Sequence, residues 1–350
     1  MKPILQALGA WLTCVSAVAF GAEGTRHQVI FDTDFVMPPA DDGLALILAL
    51  HSPELEILGV TTVAGNESME KATVDALRLL EIAGRPEIPV YRGANMPLVH
   101  EKTDYAAHTH GRWWSDEPPA APPGGFARKK AEPQSAVDFI VRTVMARPGE
   151  VSILAIGPLT NLAMAIRLEP GLAERIKQVV IMGGAIASLP DGGGNLTPNA
   201  EFNFWVDPEA AKLVLRSGIP KIVLSPLNVS RKTGLTRAWY EKMVAVDTEV
   251  TGLLKQTMGP RFAQDPGLRM LMYDQVAAAS LIDPTLVKTT ELYVDVDASP
   301  GIDYGTSLGG AEPWPGAEGA RKITVQYDLD WERFIQLFVE RVSRASRTSP

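Results

Sequence analysis

The chain has 350 residues, 46% hydrophobic and 21% charged, enough apolar content to bury the core of one large α/β domain or two smaller ones. Its 41 acidic residues outnumber 33 basic ones for a formal net charge of -8, which argues against nucleic acid as a partner because phosphates need a basic face. The single cysteine rules out a disulfide framework.

Residues 1–22 stand apart from the rest. Lys2 supplies a basic start, Ile4 to Phe20 is apolar, and Ala19, Gly21 and Ala22 are small residues suited to cleavage, the layout of a secretory signal peptide. The alternative is a membrane anchor, for which the run is broken and slightly short. Cleavage would remove Cys14 and one charge, Lys2, taking the net charge from -8 to -9. It would leave a cysteine-free domain over residues 23–350, periplasmic or secreted, without stable membrane insertion.

Gln28 to Phe31 then reads as a buried strand and Leu44 to Leu50 as an apolar helix opening. Between them Asp32, Asp34, Asp41 and Asp42 sit on a strand-to-helix loop, the edge of an open α/β sheet where ligands bind. Four like charges repel unless a cation lies among them. A hard divalent ion suits them: Ca²⁺ takes about six to eight oxygen ligands and Mg²⁺ about six. The plainer alternative is a solvated turn with Asp42 as a helix N-cap.

Leu55 to Val63 is an unbroken β-rich run ending in Gly65-Asn66, so an amide points to the edge that holds the acids. Met69 to Ala83 reads as an amphipathic helix and Pro89 to Arg92 as a short strand. From His100 to Pro133 the pattern disappears, and His110, Trp113 and Trp114 lie among Pro, Gly and charged residues. Long irregular segments inside domains are functional or disordered, and paired tryptophans favour function. Helix Ser135 to Ala146, strand Val151 to Ile156, helix Leu162 to Arg167, strand Gln178 to Met182, helix Pro208 to Arg216 and strand Lys221 to Ser225 follow. This alternation implies parallel β-α-β units.

A second polar loop, Gly183 to Asp207, carries Asn195, Glu201 and Asn203. Asn195 equally suits a turn, whereas Glu201 and Asn203 flank Phe202 and would be drawn inward, where they need partners. Trp239 to Met258 reads as one or two helices, and Asp274 precedes or caps the helix Val276 to Ile282. Leu292 to Val296 and Ile323 to Tyr327 read as paired strands around a Pro- and Gly-rich surface excursion, Ser299 to Gly319, and Trp331 to Val342 as a closing helix. No linker divides the chain, so one domain is expected.

These acids and amides suit a polyol, since they accept from and donate to hydroxyls that a hard cation also binds. They also suit hydrolysis, in which a cation acidifies water and a carboxylate takes its proton. No thiol nucleophile remains after cleavage, and no serine elbow motif is evident.

Taken together, Asp32-Thr33-Asp34 with Asp41-Asp42, Gly65-Asn66, Gly93-Ala94 with Pro97-Leu98, His110-Gly111, Gly157-Pro158-Leu159-Thr160-Asn161, Met182-Gly183-Gly184, Gly194-Asn195, Glu201-Phe202-Asn203 with Asp207-Pro208, and Asp274 resemble the inosine-uridine-preferring nucleoside hydrolases. The resemblance runs in order from Gln28 to the last helix. It implies a single α/β domain with an open, mostly parallel central sheet flanked by helices, a bound Ca²⁺, and hydrolysis of the N-glycosidic bond of ribonucleosides. Asp34, Asp42 and Asp274 would ligate the metal with the Ile156 main-chain oxygen, and Asp34 would be the base. Asp41, Asn66, Asn195, Glu201, Asn203 and Asp274 would hold the ribose, whose oxocarbenium-like charge carboxylates stabilise. A homo-oligomer, dimer or tetramer, is the expected assembly.

Two features depart from the family pattern. Six residues, Phe35 to Ala40, separate Asp34 from the acidic pair where three are usual. Tyr273 stands where pyrimidine-accepting members often carry His, and its ordinary pKa of about 10 makes it the weaker proton donor. Purine-preferring relatives stack an aromatic residue at this place, and Trp113 or Trp114, which follow His110-Gly111 in the segment that resembles the family's base-side loop, could supply the other face of a sandwich, with His110 a further substrate-binding residue, so purine nucleosides are the expected preference. Two alternatives remain: a nucleoside- or sugar-binding protein without turnover, and a haloacid-dehalogenase-type phosphatase with Asp32 as nucleophile.

Overall fold

Apolar residues at consecutive rather than alternate positions from Val29 to Phe31 mark a strand buried on both faces. The computed structural model of the chain describes residues 26–100 and 117–344. In it, β1 (His27–Thr33) sends Val29 and Phe31 into the core on one face of a sheet and Ile30 into the core on the other.

From β1 the chain steps outward through α1 (Asp41–Leu50), β2 (Leu55–Thr62), α2 (Met69–Ile82), β3 (Val90–Arg92) and β4 (Glu132–Ser135). After α3 (Ala136–Ala146) it returns to the other flank of β1 with β5 (Val151–Ala155), α4 (Thr160–Leu168), β6 (Gln178–Met182), α5 (Phe202–Val206), α6 (Pro208–Leu215) and β7 (Ile222–Ser225). A helical stretch follows: α7 (Leu227–Ser230), β8 (Leu235–Thr236), α8 (Arg237–Met243), α9 (Glu249–Gln264), β9 (Arg269–Met270) and α10 (Asp274–Ile282). The chain ends with β10 (Val287–Val296), β11 (Ser307–Gly310), β12 (Arg321–Leu329) and α11 (Trp331–Val342).

The ten-stranded sheet has the order β11-β10-β12-β7-β6-β5-β1-β2-β3-β4. From β12 to β4 every pairing is parallel, and only β10 runs antiparallel to its two neighbours. The expected mostly parallel α/β domain is therefore present. The winding reverses between β1 and β5, which opens a crevice at their carboxyl ends. Asn161, in the first turn of α4, holds the strand ends together: its Nδ2 donates to Asp32 Oδ1 at 2.8 Å and to the Thr62 carbonyl at 3.1 Å, and its Oδ1 accepts from Ala94 N at 2.8 Å.

Two local expectations need correction and a third, which left one or two helices open, is narrowed. The excursion between β10 and β12 contains an edge strand, β11, and Thr306 bridges to Ala200; two glycines in β11 hide it from β propensity. Polar β4 begins in the stretch read as patternless and runs to Ser135, read as the helix start; pairing with β3 rather than sequence makes it a strand. Trp239 to Met258 is two helices, split by a bend that Thr248 ends as the N-cap of α9. No helix among the described residues is long and apolar enough to cross a membrane.

Candidate active site

Asp34 leaves the end of β1 fully buried, in a cradle of backbone. Its Oδ2 accepts from Asn66 N at 2.7 Å, in the turn after β2. A side chain at Gly65 would put its Cβ 2.1 Å from that oxygen, and one at Gly157, after β5, would come within 2.7 Å of Asp34 N. Only glycine permits so close an approach. The other oxygen, Oδ1, is buried without a hydrogen-bond partner among the described residues.

The longer loop after Asp34 turns inward. Phe35 and Met37 join the core, Ala40 N closes a turn on the Met37 carbonyl at 3.2 Å, and Pro38 lies where a Cβ on Gly43 would meet its Cδ at 2.4 Å. The extra residues are thus absorbed below the sheet edge. Ala40, not Asp42, takes the N-cap place, so both acids fall in the first turn of α1. Helix α10 packs beside α1 and brings Asp274, its first residue, to the same point. Oxygens of Asp41, Asp42 and Asp274 lie within 4.8 Å of one another. Thr33 Oγ1 donates to Asp42 Oδ1 at 2.6 Å and Asn66 Nδ2 to Asp42 Oδ2 at 3.3 Å.

Above this group opens a cavity of about 240 Å³, lined by Asp41, Asn66, Ile156, Met182, Asn195, Glu201, Phe202, Asn203, Tyr273 and Asp274. Eight of these ten are site residues expected from the sequence. Asp34 and Asp42 lie beneath them, fully buried. Met182 and Phe202 carry no expected role, although Met182 ends β6 at this edge and Phe202 sits between two expected residues. His110, Trp113 and Trp114 lie outside the described residues. A larger groove of about 500 Å³ beside α9, lined by Arg78, Asp247 and Gln256, gathers no comparable donor set.

The second polar loop is held by hydrogen bonds that only the fold makes. Glu201 caps α5, accepting from Asn203 N at 2.9 Å and Phe204 N at 3.1 Å, and from Gly184 N at 2.8 Å. Asn195 Oδ1 accepts from Phe202 N at 3.0 Å, so Asn195 serves the turn and lines the cavity at once. Asn203 Nδ2 donates to the carbonyls of Ile156 at 3.1 Å and Met182 at 3.2 Å, and its buried Oδ1 has no partner among the described residues.

Electrostatics make this a site that calls for positive charge. Burial raises the pKa of Asp34 to about 7 and that of Glu201 to about 7, and lifts Asp42 and Asp274 well above the usual range. After burial, the groups acting on Asp274 are Asp41, Asp42, Asp34 and Glu201, all acidic. Hard oxygen donors, an orphaned carboxylate oxygen and mutual repulsion fit a hard divalent cation. Asp32 does not share this arrangement. Its Oδ1 is taken by Thr61 at 2.5 Å and Asn161 at 2.8 Å, and it is not among the acids acting on Asp274, although its Oδ2, like Asp34 Oδ1, is buried without a partner among the described residues.

Comparison with known proteins agrees with this geometry. Pyrimidine-specific ribonucleoside hydrolase RihB of Escherichia coli is 32% identical over 313 residues, covering 87% of this chain and 94% of RihB. Among solved structures, the plant nucleoside hydrolase PpNRh1 superposes with a TM-score of 0.75 at 30% identity, covering 91% of this chain and 99% of that one. The purine-preferring ribonucleoside hydrolase from Gardnerella vaginalis does so with a TM-score of 0.75 at 29% identity, covering 90% and 98%. The family model for inosine-uridine preferring nucleoside hydrolases matches residues 29–336. With that match and the acidic cavity at the reversal of the sheet, the chain belongs to this family and is a nucleoside hydrolase.

Proposed function

We propose that the protein hydrolyses the N-glycosidic bond of ribonucleosides to free base and ribose in a Ca²⁺-dependent reaction, with purine nucleosides favoured. The observation that carries this is the group of buried carboxylates with an orphaned Asp34 oxygen under a cavity rimmed by amides and acids. Asp34, Asp42, Asp274 and the Ile156 carbonyl would hold the ion; the oxygens that lie within 4.8 Å of one another are those of Asp41, Asp42 and Asp274, and Asp34 acts on Asp42 through its charge. When bound, the ion would neutralise the acids, acidify water and bind sugar hydroxyls.

The chain's own groups account for the rest. Asp34 takes a proton from the attacking water, whose oxygen bonds to the anomeric carbon as the bond to the base nitrogen breaks. Asp41, Asn66, Asn195, Glu201, Asn203 and Asp274 hold the ribose, and the carboxylates favour the positive charge that develops on it. The departing base needs a proton. Burial, then Asp41, raise the Tyr273 pKa above its ordinary value, so its hydroxyl stays neutral and is a poor acid; from the cavity wall it can hydrogen-bond the departing base and offer its ring as a stacking face while the base takes its proton from solvent.

The purine preference rests on Tyr273 and is the finer part of the reading. By their names one relative is pyrimidine-specific and another purine-preferring. Measuring kcat/KM for inosine, guanosine and uridine decides it: inosine and guanosine should lead, and a Tyr273→Ala variant should lose that lead. A uridine preference in the unaltered protein would refute it. A binding protein without turnover would show saturable ribonucleoside binding with Ca²⁺ and no base released. Export and assembly as a dimer or tetramer rest on the sequence alone; N-terminal sequencing of the exported protein and light scattering check them.

A further inference from the structure

Asn195 reaches the cavity at the end of a strap, residues 186–194, that has no secondary structure of its own. The strap is held from one side by the short helix α7 and the residues that follow it. Asn228, fully buried, accepts from Ile186 N at 2.9 Å and donates to the carbonyls of Ile186 at 3.0 Å and Pro190 at 2.7 Å. Three residues on, Arg231 donates through Nη1 to the Asp191 carbonyl at 2.6 Å and through Nη2 to the Gly194 carbonyl at 2.8 Å. Lys232 Nζ meets the Asp191 carboxylate at 2.9 Å.

The path between these anchors is steep. Asp191 has φ 58 and Gly193 φ 119, and a side chain at Gly194 would put its Cβ 2.2 Å from the carbonyl oxygens of Ala200 and Thr197. Such backbone persists only where its surroundings hold it. Arg231 is the anchor next to Asn195, because it grips the residue immediately before it.

We propose that Arg231 is a positioning residue for the reaction, a two-pronged bracket that fixes the strap so that Asn195 can hold one ribose hydroxyl. This rests on the reading of Asn195 as a ribose-holding group. The guanidinium reaches the two carbonyls from two nitrogens held at a fixed separation, Nη1 and Nη2, whereas a lysine in its place would have to reach both Asp191 and Gly194 from one flexible nitrogen. Arg231 is also the cation whose field reaches Tyr273, so a test must separate bracket from charge.

The test uses the unaltered protein and the variants Asn195→Ala, Arg231→Met, Arg231→Lys and Lys232→Ala, each with Ca²⁺ and with inosine or its 2′-, 3′- and 5′-deoxy analogues. The measured quantity is the ratio of kcat/KM for inosine to that for each analogue. Asn195→Ala should lower the ratio about tenfold for one analogue only, the size of a hydrogen bond to substrate. Arg231→Met and Arg231→Lys should lower the ratio for the same analogue, and Lys232→Ala should leave all ratios within about twofold. A loss of the Arg231 field at Tyr273 would instead act equally on every substrate and be restored by Arg231→Lys. If Asn195→Ala moves no ratio, the ribose role of Asn195 fails. If it moves one and the Arg231 variants leave that one unchanged, or if Arg231→Lys retains it, the bracket fails. Should Arg231→Met not fold, Arg231→Gln carries the same expectation.

Discussion

At the scale of single residues, Asp34 carries the account. Its Oδ2 is spent on Asn66 N, its Oδ1 is buried and unspent, and no other carboxylate of the site shows that division. Replacement by Asn keeps the shape and removes the basic oxygen, so Asp34→Asn should lower kcat about 10²- to 10⁴-fold, the contribution of a positioned general base. Thermal unfolding should change little in comparison, since an amide keeps the hydrogen bond from Asn66. A kcat within about threefold of the unaltered protein would remove Asp34 from the chemistry.

Residue identity also decides how much of the site was legible in the sequence. Acids that no helix cap explains, and amides at strand ends, were visible because charged and amide groups beside apolar runs have few structural uses. The glycine contacts were not, because Gly65 and Gly157 act through atoms they lack, and only the fold brings Asp34 against them. Nor was the Arg231 bracket, since contacts to main-chain carbonyls leave no pattern in side-chain types.

At the scale of elements, the starts of α1, α5 and α10 and the ends of β1, β2, β5 and β6 converge on the site. Gly65→Ala would place a methyl 2.1 Å from Asp34 Oδ2, and the Asp34 side chain is fully buried and held by Asn66 N, so it has little room to give way. The turn after β2 would have to move, costing about 1 to 3 kcal/mol and drawing Asn66 away from both Asp34 and Asp42. The expected result is a lowered Tm with a large loss of kcat/KM; unaltered kinetics would show that this turn does not set the site.

The far end of α1 gives a prediction about pH. His51 Nδ1 donates to the Arg341 carbonyl at 2.9 Å, Nε2 is buried without a partner among the described residues, and burial lowers its pKa below 6.5. The folded chain then binds fewer protons than the unfolded one as pH falls below the unfolded value. The stability from His51 is present above that value and lost below it. Tm should therefore fall more between about pH 7 and pH 5 in the unaltered protein than in His51→Gln, which keeps a donor without a titrating group. Parallel Tm profiles for the two proteins would contradict this.

Elements differ in how plainly they show in sequence. Parallel strands buried on both faces leave unbroken apolar runs, so β1, β2, β5 and β6 were readable. Helix α5 was not. Its five residues hold together because Glu201 caps them while reaching Gly184, a tertiary contact. The two-residue strands β8 and β9 pair across the α8 and α9 connection between them, a contact that no local pattern marks.

At the scale of the whole molecule, the sheet reversal gathers acids from residues 34, 41, 42 and 274 into one apolar setting, a conflict that folding alone does not relieve. A cation that binds only the folded chain should stabilise it by mass action, about 2.7 kcal/mol at a hundredfold excess over Kd. Ca²⁺ added to chelator-treated protein should therefore raise Tm by several degrees, and in Asp42→Asn the rise should shrink. An equal rise in both would place the ion elsewhere.

The most direct test follows base and ribose release from inosine by protein stripped of metal, as Ca²⁺ is titrated back, with Mg²⁺ as the comparison. The account predicts no turnover in the stripped protein, recovery that saturates with Ca²⁺, and no recovery in Asp34→Asn at any concentration. Full turnover by the stripped protein in the presence of chelator, or equal recovery in the variant, would contradict it.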